Sequence, residues 1–208
     1  GTDLTEANRA SYEMQARTLR VFYYNMLWHY FGNVPFYLEN LSNPPYTAPQ
    51  LTADEVYDQL IVELEAIIDS NVLPMRWDDT QAGRVSQAMA WMMYAEMVMY
   101  QNDESRYSKA LQGMQAIINS GQYALNPDYA NLWEESGEWC SGAMFDIRCE
   151  DANNERGWSS PLAIGGTVLP TLIAPNSWPG GDGWDGGDGW GFFLVRVETY
   201  DMYAEGDV

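Results

Sequence analysis

Positive charge is scarce in this sequence, with 10 Lys and Arg against 30 Asp and Glu and a formal net charge of −20. A surface this negative repels a phosphate backbone and an anionic bilayer, which excludes nucleic acid as an expected partner. Histidine occurs once, at His29, and cysteine twice, at Cys140 and Cys149. That inventory lacks the closely spaced nitrogen and sulfur ligands of a zinc site, and no metal is expected. No elbow motif presents a Ser or Cys nucleophile, so His29 reads as a hydrogen-bonded structural residue and not as a catalytic base. No run of about 18 apolar residues is present. The opening Gly1-Thr2-Asp3-Leu4-Thr5-Glu6 has neither the basic start nor the apolar core of a signal peptide, which leaves a cytosolic protein or an exported one without its leader.

What is abundant is apolar and aromatic mass: 46% of the 208 residues are hydrophobic, and Trp and Tyr number 9 and 14. A chain of this length and composition buries a sizeable core, and its aromatic rings serve cores and flat ligand faces alike. From Thr5 to Phe31 neither Pro nor Gly intervenes. Tyr12, Ala16, Leu19, Tyr23, Met26 and Tyr30 fall at helical spacing, and Val21, Tyr24, Trp28 and Phe31 form a second stripe, predicting a long helix buried on two sides and stopped at Gly32-Asn33-Val34-Pro35. Thr52 and Glu55 form a capping box that starts a helix at Ala53. Val56, Leu60, Leu64, Ile67 and Ile68 make its inner face, with Asp54, Asp58, Glu63 and Glu65 outward, predicting a surface helix that ends near Asp69.

Ser86 caps a third helix whose stretch Ala88 to Tyr100 is apolar apart from Glu96, the pattern of a central element with neighbours all round. A fourth is expected from Glu104 to Ser120, with Tyr107, Leu111, Met114 and Ile118 inward. The third and fourth helices together have the length of one tetratricopeptide-type hairpin, and the first two make another with a longer linker. The fold class is therefore mainly α, built of stacked helical hairpins with long loops. Residues 1–126 form the helical region and residues 127–208 a loop-rich region of the same domain, in which Ala143 to Ile147 reads as a strand. Cys140 and Cys149 flank that strand, one on each face, and read as free thiols.

The segment from Ala16 to Phe36, ending Tyr30-Phe31-Gly32-Asn33-Val34-Pro35, resembles the long helix of the SusD/RagB family. In the same register, Val56 to Leu64, Leu73-Pro74, Gly83-Arg84-Val85-Ser86, Ser120-Gly121-Gln122-Tyr123-Ala124-Leu125, Ala143 to Ile147 and Gly189-Trp190-Gly191 are similar to later family segments. His29 departs from the pattern, standing where Arg or Lys is common. The resemblance implies a fragment lacking both family ends. It also implies a lipoprotein on the outer face of the outer membrane, non-catalytic, capturing oligosaccharides or peptides as the lid of a SusC-like TonB-dependent transporter.

Between Gly157 and Gly191 lie ten of the eighteen glycines and four of the nine tryptophans. A connection so long is functional or disordered, and indoles bounded by Gly and Pro offer flat faces on which the CH surface of a sugar stacks. Trp178, Trp184, Trp190 and Trp158, together with Trp77 in an earlier loop, are the candidate ligand-binding residues. Trp28, Trp91 and Trp133 are assigned to the core. Asp182, Asp185 and Asp188 recur every third residue, a spacing that is not that of an EF-hand, and read as a solvated turn. The adjacent acids Asp78-Asp79 and Glu134-Glu135 are the one pairing from which a glycoside hydrolase could be built. Glycan capture without catalysis or cofactor is the leading expectation, and a helical scaffold for a peptide or protein partner is its rival.

Overall fold

A computed structural model of the chain describes residues 4–148, 172–176 and 189–203. The chain divides into two compact units, Gly1–Asp146 and Ile147–Val208. Residues 127–146 thus belong with the helices.

The first unit is a stack of four helices. Helix α1, Glu6–Phe31, begins where Thr5 accepts a hydrogen bond from the Asn8 N–H and ends at Gly32, whose φ of 66° suits a residue without Cβ. A two-residue ribbon follows, β1 (Val34–Pro35) pairing antiparallel with β2 (Gln50–Leu51). Its loop is tied to the next helix by Asn33, whose Oδ1 accepts from the Ala53 N–H at 2.9 Å. Helix α2, Ala53–Asp69, opens on the Thr52–Glu55 capping box. Helix α3, Gln87–Gln101, is capped by Ser86 and closes on Asn102 in the left-handed conformation. Helix α4, Tyr107–Asn119, follows a 3-10 turn at Glu104–Arg106.

Each helix packs antiparallel on the next, as the ties between them show. Arg17 of α1 makes a two-pronged bond to Glu63 of α2 at 2.8 and 2.9 Å, and Arg20 adds a third contact at 2.6 Å. Those bonds hold the Glu63 carboxyl below the usual carboxylate range. Gln101 at the end of α3 reaches Asp54 at the start of α2, while Gln87 at the start of α3 reaches Ile68 near its end. Trp91 of α3 lies over Gly113 of α4. Between the layers Val21, Val56, Ile61, Leu64, Tyr94, Met97 and Val98 are wholly buried, and each such aliphatic side chain stabilises the fold by roughly 1.5–3 kcal/mol.

Several expectations need correction. α2 is no surface helix: it lies between α1 and α3, so Glu63 and Glu65 are half-buried and held in ion pairs. α1 is buried along one stripe only, Met14, Thr18, Val21, Tyr24, Asn25 and Trp28, while Tyr12, Tyr23, Met26, Tyr30 and Phe31 are exposed. α3 likewise leaves Met92, Met99 and Tyr100 in solvent. The inner face of α4 is Ala110, Gly113 and Ile117, one position away from the expected Leu111 and Ile118, because the Trp91 indole needs small residues opposite it. Ala143 to Ile147 is irregular and makes no strand pairing among the described residues. Trp133 is 75% exposed on a 3-10 turn, whereas Trp28 and Trp91 are core as expected.

The second unit is described over 172–176 and 189–203. Asn176 and Gly189 form a parallel bridge, extended by Gly191 N–H to Ala174 O at 3.0 Å and Phe192 N–H to Leu172 O at 2.9 Å. A short helix α5, Val197–Tyr200, follows.

Candidate functional site

Trp77 sits in the connection between α2 and α3, half-buried. Its indole N–H donates to Val85 O at 2.8 Å, and the Arg84 guanidinium lies 4.0 Å from its ring centre. Arg84 is itself held by Gln15 at 2.9 Å and by Gln81, and it also faces Tyr12. A guanidinium over an indole is an attractive cation–π pair that occupies one ring face. Beside it Arg76 donates to the carbonyls of Gln122 and Ser141, both at 3.0 Å, and covers the Tyr123 ring. Trp139, with φ at 57°, closes the other wall against Gly83, where an added Cβ would come within 2.7 Å of its ring. The hollow between these groups holds about 30 Å³, room for a water and not for a sugar ring. Aromatic and cationic groups are gathered here, but they are committed to one another.

Trp190 is presented differently. Backbone bonds on both sides fix its ribbon, Gly191 turns with φ at 63°, and Gly189 has no space for a Cβ beside Ala174 O. The indole, 46% exposed, packs at 5.4 Å from Phe192. That is an accessible aromatic platform. Trp158, Trp178 and Trp184, with Asp182, Asp185 and Asp188, lie outside the described residues.

Two apolar surfaces were missed in the sequence because only folding assembles them. Adjoining hollows of about 340 and 500 Å³ share Tyr24, Leu27 and Tyr37, where the chain returns along α1 after Pro35. Tyr24 is locked there, its hydroxyl bonded to both the N–H and the C=O of Tyr37 at 3.2 Å, while Tyr23 and Tyr37 are 59% and 48% exposed. Doubled tyrosines beyond the core stripe, at Tyr23-Tyr24, were the available signal. The second surface is a groove of about 570 Å³ between α1 and α3 containing His29. The His29 ring stacks near Tyr100 at 4.2 Å and Trp28 at 5.0 Å, and its Nδ1 is 3.9 Å from Glu96 Oε1.

The acid pairs are solvated: Asp78 caps the turn at Asp79–Gln81, and Glu134 and Glu135 are exposed. Cys140 is a free thiol, and Cys149 lies outside the described residues. Among the described residues no group of three or more His, Cys, Asp or Glu could hold a metal, and no helix is long and apolar enough to cross a membrane.

The mainly helical stack is shared with solved SusD-like proteins, and the chain is SusD-like. It superposes on surface glycan-binding protein A from Bacteroides uniformis with a TM-score of 0.83 and 62% identity, covering 99% of this chain and 42% of that one. It is 50% identical to surface glycan-binding protein A from Bacteroides thetaiotaomicron in complex with laminarihexaose, TM-score 0.82, covering 98% of this chain and 42% of that one. A laminarin-binding SusD-like protein is 25% identical, TM-score 0.79, over 96% of this chain and 44% of that one. The chain therefore spans less than half the length of these relatives. No protein-family model and no curated protein matches it.

Proposed function

We propose that the chain is part of a cell-surface protein that captures oligosaccharides of the laminarin type without transforming them. The observation that supports this most is 50% identity, over 98% of the chain, to a surface glycan-binding protein whose structure contains laminarihexaose. The relatives are named for binding and not for catalysis. The reading extends to a lipid-anchored position on the outer face of the outer membrane, with a SusC-like TonB-dependent transporter as partner and no cofactor.

Within the chain we assign capture to exposed indoles. Trp190 supplies a flat apolar face at an accessible position, and Trp158, Trp178 and Trp184 belong to the same glycine-rich stretch. Stacking on each indole contributes on the order of 1 kcal/mol, so several rings must act together and affinity is weak. Trp77 offers a ligand only the part of its ring that Arg84 leaves uncovered. Calorimetric titration of the chain with laminarihexaose tests the reading. Saturable binding with micromolar to millimolar affinity is expected, and the absence of heat at millimolar sugar would place capture outside this chain.

A further inference from the structure

With 30 acidic side chains against 10 cations, a cation in this chain has little reason to lack a carboxylate. Arg9, Arg17, Arg20, Arg106, Lys109 and Arg196 each stand within 4.0 Å of one. Among the described residues Arg76 and Arg84 have no such partner, and both line the same hollow of about 30 Å³. Arg76 meets only the backbone carbonyls of Gln122, Trp139, Cys140 and Ser141, and Arg84 only the side-chain oxygens of Gln15 and Gln81. Stacking on Tyr123 and Trp77 stabilises the two guanidiniums without cancelling their charge. Asp79, the acid among the lining residues, is exposed and pairs with neither.

We infer that this hollow binds one small monovalent anion, with chloride the simplest, held by the Arg76 and Arg84 guanidiniums and the Ser86 hydroxyl. Donors remain for it. A guanidinium carries five N–H groups, and Arg84 gives one to Gln15 and one to Gln81. Ser86 is only 2% exposed and also lines the hollow; its Oγ accepts from the Met89 N–H at 3.3 Å, which leaves the hydroxyl proton without an acceptor among the described residues. Ser86 caps α3, and a helix N-terminus carries about half a positive elementary charge. Pro74, Met75 and Ser86 already take the first-turn N–H groups of Gln87, Ala88 and Met89, so the helix contributes its field and not its donors. The space suits an ion near a water in size, whereas an acidic sugar would have to bring its ring. Neutralised in this way, Arg84 and Arg76 tie the connection between α2 and α3 to the loop at Trp139–Ser141.

The test is the chloride-35 nuclear magnetic resonance linewidth of the whole chain, titrated with sodium chloride while a bulky sulfonate salt holds ionic strength constant. A net charge of −20 disfavours unspecific chloride binding, so excess linewidth that saturates, and that bromide displaces, is the expected result. Arg84→Gln should lose it about fivefold or more. Because that variant also uncovers Trp77, a second one leaves the hollow's cations in place: Asp79→Asn removes an exposed acid that opposes the ion and should tighten chloride binding about threefold. Asp58→Asn makes the same change of charge on α2 and should leave chloride binding as it was. No saturable excess linewidth, or equal effects of Asp79→Asn and Asp58→Asn, would overturn the inference. Displacement by glucuronate as effective as by bromide would also overturn it, assigning the hollow to acidic sugars and not to a free ion.

Discussion

Gly113 lies so close beneath Trp91 that a Cβ on it would stand 2.1 Å from the indole Cε3. The contact joins α3 to α4 at the one place where α4 could not carry a side chain. Gly113→Ala gains up to about 1 kcal/mol of helix propensity but forces an overpacked ring to move, at a cost of about 1–3 kcal/mol. Urea denaturation should show net destabilisation, with Leu111→Ala, at an exposed position, close to neutral.

Tyr94 is wholly buried and its hydroxyl donates to Glu65 at 2.8 Å, while Met93 is 6% exposed. Tyr94→Ala should cost about 3–5 kcal/mol and Met93→Ala about 2–5, since the surrounding helices cannot close over the cavity. Asp58→Ala, on exposed surface, should change stability by less than about 0.5 kcal/mol. Glu65→Ala belongs with the costly group, because it strands the buried Tyr94's hydroxyl and leaves Arg106 with Asp103 alone. Equal effects at Asp58 and Glu65 would refute this placement of α2.

Acid should act through Asp103. Hydrogen bonds from Ser105, then from Arg106 and Tyr57, hold its pKa at about 2 against an ordinary 3.8. The folded state therefore binds this proton less readily than the unfolded one. The stability it contributes is complete above about pH 4 and is lost as pH falls toward 2. Asp103→Asn should be less stable at neutral pH and show a shallower loss between pH 4 and 2 in chemical denaturation, and an unchanged slope would show that Asp103 is not the group responsible.

Helix ends were legible because caps are local: Thr52 with Glu55, Ser86 and Gly32 each do what their spacing implies. Helix faces were less legible, because a face is defined by what packs on it. Large apolar residues pointed to Leu111 and Ile118, whereas the packed face of α4 runs through Ala110 and Gly113 to accommodate Trp91. The same limit applies to α1, where Tyr23 and Tyr30 carry core-like spacing but are 59% and 77% exposed. Pairing of Val34 with Leu51 depends on a return of the chain that no periodicity encodes. Of the candidate indoles, Trp190 is half-exposed, and Trp77 meets a cation from seven residues away in sequence.

The central claim, oligosaccharide capture by indoles of the glycine-rich stretch, is tested most directly by following tryptophan fluorescence during laminarihexaose titration of the Trp178→Ala, Trp184→Ala double variant. Neither residue lies in one of the helices α1 to α4, so the far-ultraviolet circular dichroism should match the parent chain. With each stacked ring contributing on the order of 1 kcal/mol, loss of two should weaken binding by roughly 30-fold. Undiminished affinity in a variant with parental dichroism would contradict the account and direct attention to the hollow beside Tyr23 and Tyr37.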